Sequence, residues 1–576
     1  MHMKLKNIII SLSIIGSALA IGASVYYNYY QFRDTGANPN YNYQYKLKDV
    51  TFDQLPEEIK GQRIDPTNVR LTFTTTENLK RFLDVYVEKF NDEEGEPLDL
   101  SFINMAYIRN IDFLFAGNLK KHEFDDGTVY YTCNYFLEVR KFNIDLYTLD
   151  ISRVKSMQGT FACSYFPNDI SKLDISNVTN MSHLFSNNLI LPKDISDWNV
   201  SHVQNMAFMF FSTYFNQNIS ISKWDVSQVK NMTGMFALSN FNQDLSKWNV
   251  ANVTNMKNMF DGAKSFTGDL SKWNVSKVTD MKGMFNGANN FNSDLSQWNV
   301  RKVTNMSFMF SEAKKFNSDL SQWDVSNVTN MYAMFSEAEN FTSDLSKWNV
   351  SKVTNTELMF NKAKKFNSNL SQWDVSKVTT MRGMFQDAEN FTSDLSKWNV
   401  SKVTDMSAMF NKAKKFNSNL SQWDVSNVTN MHVMFNDAQN FTSDLSKWNV
   451  SKVTNMKAMF YRAKKFNSNL SQWDVSNVTN MAGMFIGAEN FTSDLSKWNV
   501  SKVTDMAFMF NGAKKFNSDL SRWNVSNVTD MSYMFAFTGN FISDLRNWNV
   551  AKVTEYKGIL FGAAAFNPNY APRFKN

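Results

Sequence analysis

Phe341-Thr-Ser-Asp-Leu-Ser-Lys-Trp348-Asn-Val-Ser-Lys-Val353-Thr-Asn355 is one of many near-copies of a 25-residue unit. Tryptophan marks the unit at Trp198, Trp224 and Trp248, then every 25 residues to Trp548, and these are all fifteen tryptophans of the 576-residue chain. A fixed period of this length means one supersecondary unit stacked many times, its apolar side shared between neighbours and not wrapped into a globule. Catalysis is not expected from such a chain.

Each unit divides into two patterns. After Asn305 the apolar residues Met306, Met309, Phe310, Ala313 and Phe316 fall on one face of a short helix. The position before the first Met slot, which Thr356 fills in one copy, holds Asn305, Asn330 and Asn355, and Asp280, Thr380 or Asp405 in other copies. These side chains accept hydrogen bonds from the free amides of a helix start, so the column reads as structural capping. In the other half, Leu320-Ser-Gln-Trp323-Asp-Val325-Ser alternates as a half-buried strand does, and stacked copies would pair in parallel. Burial of each Trp accounts for the aromatic stripe without a ligand.

The string Trp323-Asp-Val-Ser-Asn-Val-Thr-Asn330-Met, continued by Met334, Phe335, Ala338 and Phe341, resembles mycoplasma-type surface-protein repeats of the BspA-like leucine-rich-repeat group. The likeness covers about residues 149–567. It implies a leucine-rich-repeat-like solenoid on a bacterial cell surface, in a family of largely undefined molecular function, with no catalytic residues. The expected fold is therefore an α/β solenoid. It has a short parallel strand plus a short helix per 25-residue coil, about 17 coils, an N-terminal α+β cap and an N-terminal membrane helix.

A second period of 50 residues lies inside the first. Ala313-Lys-Lys-Phe returns at Ala363, Ala413, Ala463 and Ala513, whereas Ala338-Glu-Asn-Phe, Ala388-Glu-Asn-Phe and Ala488-Glu-Asn-Phe stand between. Alternation keeps like charges apart in adjacent coils. Beside the Trp column, Gln322, Gln372, Gln422 and Gln472 alternate with Lys347, Lys397, Lys447 and Lys497. This monotonous face favours weak multivalent attachment, and these eight residues are the candidate contacts.

The flanks complete the plan. Lys4 and Lys6 precede an apolar run from Ile8 to Val25, which reads as a signal anchor, or as a signal peptide cleaved after Ala20. The expected domains are 1–30 for that segment, 31–49 a linker, 50–148 a capping region with a degenerate repeat, 149–566 the repeats and 567–576 a C-terminal cap. Within the capping region, Val69-Arg-Leu71-Thr-Phe73 predicts a strand, and Thr74 to Glu77 a capping box before a helix with Leu79, Phe82, Leu83, Tyr86 and Phe90.

A formal net charge of +6 is dilute for this length and does not suggest nucleic acid. Cys133 and Cys163 leave open a mutual pair or two buried thiols, the latter favoured. The five histidines are scattered, and no nucleophile, phosphate-loop or metal-ligand pattern is present, so no catalytic residue, metal or cofactor is expected. Asp319 and Asp344 belong to a column that mixes Asp with Asn, a poor calcium ladder. The expected function is that of a surface adhesin or variable surface antigen. It would be anchored in the plasma membrane with its repeats outside, contacting a host cell-surface or matrix protein. The alternative is a ligand-free structural spacer.

Overall fold

The computed structural model of the chain describes residues 43–134, 140–191, 194–215 and 219–574. It divides into two compact units, Met1–Gly268 and Asp269–Asn576.

The first unit begins with β1 (Tyr45–Lys48), which lies in the stretch read as linker, and continues with α1 (Glu57–Lys60) and β2 (Val69–Thr72). Then come α2 (Thr76–Phe90), β3 (Leu98–Asp99) and β4 (Ile103–Asn104). β1, β2 and β4 form a parallel sheet in the order β1-β2-β4. The α2 face carrying Leu79, Phe82, Leu83, Tyr86 and Val87 is buried, with Phe82 and Tyr86 set edge-on to Phe102. Thr75, and not Thr74, caps α2, its hydroxyl accepting the Asn78 N–H at 3.2 Å. There follow the antiparallel hairpin β5 (Leu119–Glu123) and β6 (Val129–Cys133), and the short pieces β7 (Arg140–Lys141), β8 (Ile144–Asp145) and β9 (Ser164–Tyr165).

The repeats overturn the expected α/β solenoid. Among the described residues, no helix or strand lies between Tyr165 and Pro568. Within each unit, neighbouring coils meet at single-residue parallel bridges, such as Asn180↔Asn205 in the first and Asn330↔Asn355 in the second. Among the described residues after Tyr165, no sheet runs along the coils.

The coil that starts at Met331 shows why the helix fails to form. The N–H groups of Met331, Ala333, Phe335 and Glu337 donate to Asn355, Glu357, Met359 and Asn361 of the next coil, at 3.1, 2.8, 2.9 and 2.7 Å. The intervening amides close three-residue turns within the coil, Met334 to Met331, Ser336 to Ala333 and Ala338 to Phe335. Ala333 (φ 50°) and Glu337 (φ 60°) take left-handed backbone, which no α-helix tolerates. A chain of such turns sets Met331, Met334, Phe335, Ala338 and Phe341 inward, and that spacing mimics a helix face. The Asn330 side chain accepts the N–H of Tyr332, two residues on, so the capping column makes Asx turns and caps no helix.

The expected strand is replaced by side-chain bonds. Trp323 and Val328 close turns onto Leu320 and Val325. The Leu320 N–H donates to the hydroxyl of Ser343 in the next coil at 2.8 Å, and the Leu320 carbonyl accepts the Trp348 Nε1–H at 2.9 Å. Ser343 and the indole do for these buried groups what a ladder would otherwise do. Trp323 and Trp348 stack parallel, 6.5 Å apart, in a core only 3% exposed.

The left-handed slots carry a testable strain. Val433 sits at φ 49°, where Gly383 and Gly483 stand at φ 59° and 63° in other coils. A β-branched residue there is disfavoured. Val433→Gly is expected to stabilise the chain by about 0.5–1 kcal/mol in chemical denaturation. Gly383→Val is expected to do the reverse, since its Cβ would stand 2.6 Å from Leu358 Cδ2. The same sign for both would refute the strain.

Among the described residues no helix is long and apolar enough to cross a membrane. The anchor expected at residues 1–30 lies outside them, so the plasma-membrane localisation has no support in the structure and is withdrawn. At the other end, Pro568–Tyr570 form a 3₁₀ turn, the Tyr570 carbonyl accepts the Leu545 N–H at 2.9 Å, and Phe574 stacks on Tyr556 at 4.2 Å.

Candidate functional site

The eight contact residues expected from sequence are all exposed, in the second unit, at the third position of a turn that a Trp N–H closes. They differ in how free they are. Gln322, Gln372, Gln422 and Gln472 each turn back to donate to the hydroxyl of the preceding serine, at 3.2, 3.2, 3.2 and 3.3 Å. Lys347, Lys397, Lys447 and Lys497 make no hydrogen bond or salt bridge among the described residues, and each interacts only through its charge with the aspartate three positions before it, Asp344, Asp394, Asp444 and Asp494. Ring-to-ring steps of 6.4 and 6.5 Å lead from Trp348 through Trp373 to Trp398, so the lysines recur at a fixed spacing.

The acidic column behind them is committed. The backbone N–H of Ser346 holds Asp344 below the ordinary carboxylate range, against the opposing cost of burial. The hydroxyls of Ser346 and Ser368 and the charge of Lys347 add to that effect. Asp319 is held in the same way, first by the Ser321 N–H and then by hydroxyls. Elsewhere the 50-residue alternation makes cross-coil pairs: Lys364 with Glu339 at 3.2 Å, Lys414 with Glu389 at 3.2 Å and Lys514 with Glu489 at 2.9 Å.

A second feature escaped the sequence reading. The β5–β6 hairpin of the first unit is strapped across the coils at both ends. Cys133 and Cys163, for which the sequence left a mutual pair open but favoured buried thiols, form a disulfide with Cα atoms 5.5 Å apart. At the hairpin tip, the Lys257 ammonium pairs with Asp126, donates to the Thr128 hydroxyl at 3.0 Å and lies 4.9 Å from the Phe124 ring centre. That side chain is only 2% exposed. Between these anchors, Asn187 donates to the Tyr131 carbonyl at 2.8 Å, and Tyr131 meets the His183 ring edge-on at 5.0 Å.

The strap roofs a cleft of about 440 Å³ lined by Tyr131, His183, Phe208, Asn205, Asn231 and Asn255 among others. His183 is 4% exposed and stacked on Phe208 at 4.9 Å. Burial drives its pKa down to about 4, against a hydrogen bond to the Val129 backbone, so the ring is neutral at physiological pH. Its Nδ1 is buried without a hydrogen-bond partner among the described residues.

A family described as "Mycoplasma protein of unknown function, DUF285" matches residues 132–240, 211–321, 284–398, 381–481 and 466–572. The chain belongs to that family. The five matches tile the repeats, and the first of them includes Cys133 and Cys163. No curated protein matches the chain. The mycoplasma half of the sequence resemblance thus stands. The BspA-like leucine-rich-repeat grouping is not confirmed: among the described residues, the coils after Tyr165 contain neither the strand nor the helix that defines such a repeat.

Proposed function

We propose that this member of the family is an adhesin or variable surface antigen that holds a host macromolecule through many weak, identical contacts. The observation that carries the reading is the row of exposed lysines, Lys347, Lys397, Lys447 and Lys497, left without a hydrogen bond or salt bridge among the described residues while neighbouring columns are internally bonded. A lysine that feels only the field of a nearby aspartate, with no hydrogen bond or salt bridge of its own, loses little when it meets an acidic group on another molecule. One such contact is worth well under 1 kcal/mol on an exposed surface. Regular repetition converts several into avidity. The partner in this reading is an acidic patch on a host cell-surface or matrix protein. The spacer alternative draws support from the glutamines, whose side chains are already occupied by their own serines.

Binding of the purified full chain to host cells and matrix proteins tests the proposal. Replacing the four lysines together by glutamate is expected to weaken saturable binding by at least about tenfold and to flatten its salt dependence. Removing two-coil cassettes one at a time is expected to lower avidity stepwise. Binding indifferent to both changes, or absent altogether, would leave the spacer reading in its place.

A further inference from the structure

The cleft under the β5–β6 strap has the polar inventory of a ligand site. Asn205, Asn231 and Asn255 stand in one column on successive coils, joined by parallel bridges and spaced roughly 4.8 Å apart. Each Oδ1 is used at home, accepting the N–H of Ala207 at 3.1 Å, Thr233 at 3.0 Å and Lys257 at 3.0 Å. Each Nδ2 is left without a partner among the described residues, so three half-buried amide donors line one wall.

Opposite chemistry sits beside them. His183 Nδ1 is buried with no hydrogen-bond partner among the described residues, and in the neutral tautomer that carries its proton on Nε2 it offers a lone pair to the cleft. A buried polar atom left unsatisfied in this way is uncommon in folded proteins and calls for a ligand or a cost. Tyr131 and Phe208 supply apolar ring surface, Gln158 a further amide, and no carboxylate lines the cleft. Lys121 at the rim is exposed and is the one charged side chain among the lining residues.

We propose that this cleft binds a neutral sugar unit, with the Asn205, Asn231 and Asn255 amides donating to ring or hydroxyl oxygens and His183 Nδ1 accepting from a hydroxyl. Hydroxyl groups both donate and accept, so a polyhydroxyl ligand satisfies the amide row and the imidazole lone pair together. An anion would be met by the amides but would face that lone pair unfavourably. A wholly apolar ligand would strand all four groups. A volume of about 440 Å³ lies within the range of small-ligand sites. The site is separate from the lysine row and independent of it.

The test uses the repeat itself as its control. Asp replaces Asn in the same column at Asp280, Asp405, Asp505 and Asp530, and it makes the same Asx turn, as at Asp405, which accepts the Ser407 N–H at 2.8 Å. Asn205→Asp, Asn231→Asp and Asn255→Asp therefore keep the fold while removing the donors. The full chain would be titrated with glucose, galactose, mannose, N-acetylglucosamine and lactose at millimolar concentrations, followed by NMR and thermal shift. The expected result is saturable binding of at least one sugar, weakened about tenfold or more in the triple variant at unchanged melting temperature. Should the triple variant melt early, the Asn231→Asp single variant carries the comparison. No sugar binding, sugar binding that survives the substitutions, or binding of inorganic phosphate in preference to sugars would overturn the proposal.

Discussion

Replacing Trp373 with alanine is expected to cost about 3–5 kcal/mol of stability, confined to the coils on either side of it. Trp373 is 4% exposed. It stacks between Trp348 at 6.4 Å and Trp398 at 6.5 Å, leans on Phe360 at 6.3 Å, and donates its Nε1–H to the Leu345 carbonyl at 2.9 Å. Alanine removes the ring from both stacks, opens a cavity in the shared core and takes one hydrogen bond from a buried carbonyl. Trp373→Phe separates the terms. It keeps an aromatic ring in the column but loses the indole donor, and is expected to cost about 1–2 kcal/mol for the weakened satisfaction of Leu345. Because each coil touches only its neighbours, the loss belongs to a local segment. Hydrogen exchange should accelerate between about Leu345 and Trp398 while coils beyond keep their protection. A cost below 1 kcal/mol for the alanine variant, or uniform acceleration along the unit, would show that the Trp column is not the shared core described here.

The period, the coil boundaries and the buried face were legible in the sequence, because Trp, Val, Met and Phe recur where a stacked core needs them. The local conformation was not. Met331, Met334, Phe335 and Ala338 sit at spacings of three and four whether the backbone forms a helix or a chain of three-residue turns. What separates the two is the left-handed backbone of Ala333 and Glu337, slots filled elsewhere by Val433 and Lys412, residues that do not announce positive φ. Likewise Trp323 and Val325 alternate as in a strand, yet Ser343 and Trp348 supply the bonds a ladder would have made.

The exposed lysine row was readable from the repeat, since every copy presents the same turn. The strapped cleft was not, because its residues come from several coils and from a hairpin that interrupts the period. Lys257 shows the difficulty. Lys457 occupies the same slot of its own coil and is exposed, whereas Lys257 is buried only because the hairpin tip lies on it. His183 is similar, one of five scattered histidines until Tyr131 closes over it. The Cys pair was the available clue. A link from Cys133 to Cys163 ties the segment after β5 back to the coils, and reading it as a bond would have placed the hairpin.

Asp126→Asn at the hairpin tip is expected to cost about 3–5 kcal/mol against opening of the strap, whereas Lys257→Met is expected to change it by less than about 1 kcal/mol. The asymmetry follows from burial. The Lys257 side chain is 2% exposed and Asp126 is 41% exposed. Removing the carboxylate's charge leaves a buried ammonium with neutral company only, the asparagine amide, the Thr128 hydroxyl and the Phe124 ring. Removing the ammonium leaves a carboxylate that water already reaches, and methionine refills the space with apolar surface. Acid should act as the first variant does. Burial pushes the Asp126 carboxyl up, but hydrogen bonds from Lys257 and Thr128, together with the Lys257 charge, outweigh it and hold the group well below the ordinary carboxylate range. A depressed folded-state pKa contributes stability that is complete above the unfolded value of about 3.9 and fades as pH falls below it. Hydrogen exchange in β5 and β6 reads all three. Protection should drop in Asp126→Asn at neutral pH, survive in Lys257→Met, and in the parent chain decline only below about pH 4. Equal losses in the two variants would mean that the strap is held by its ion pair as such and not by the need to keep a buried charge company.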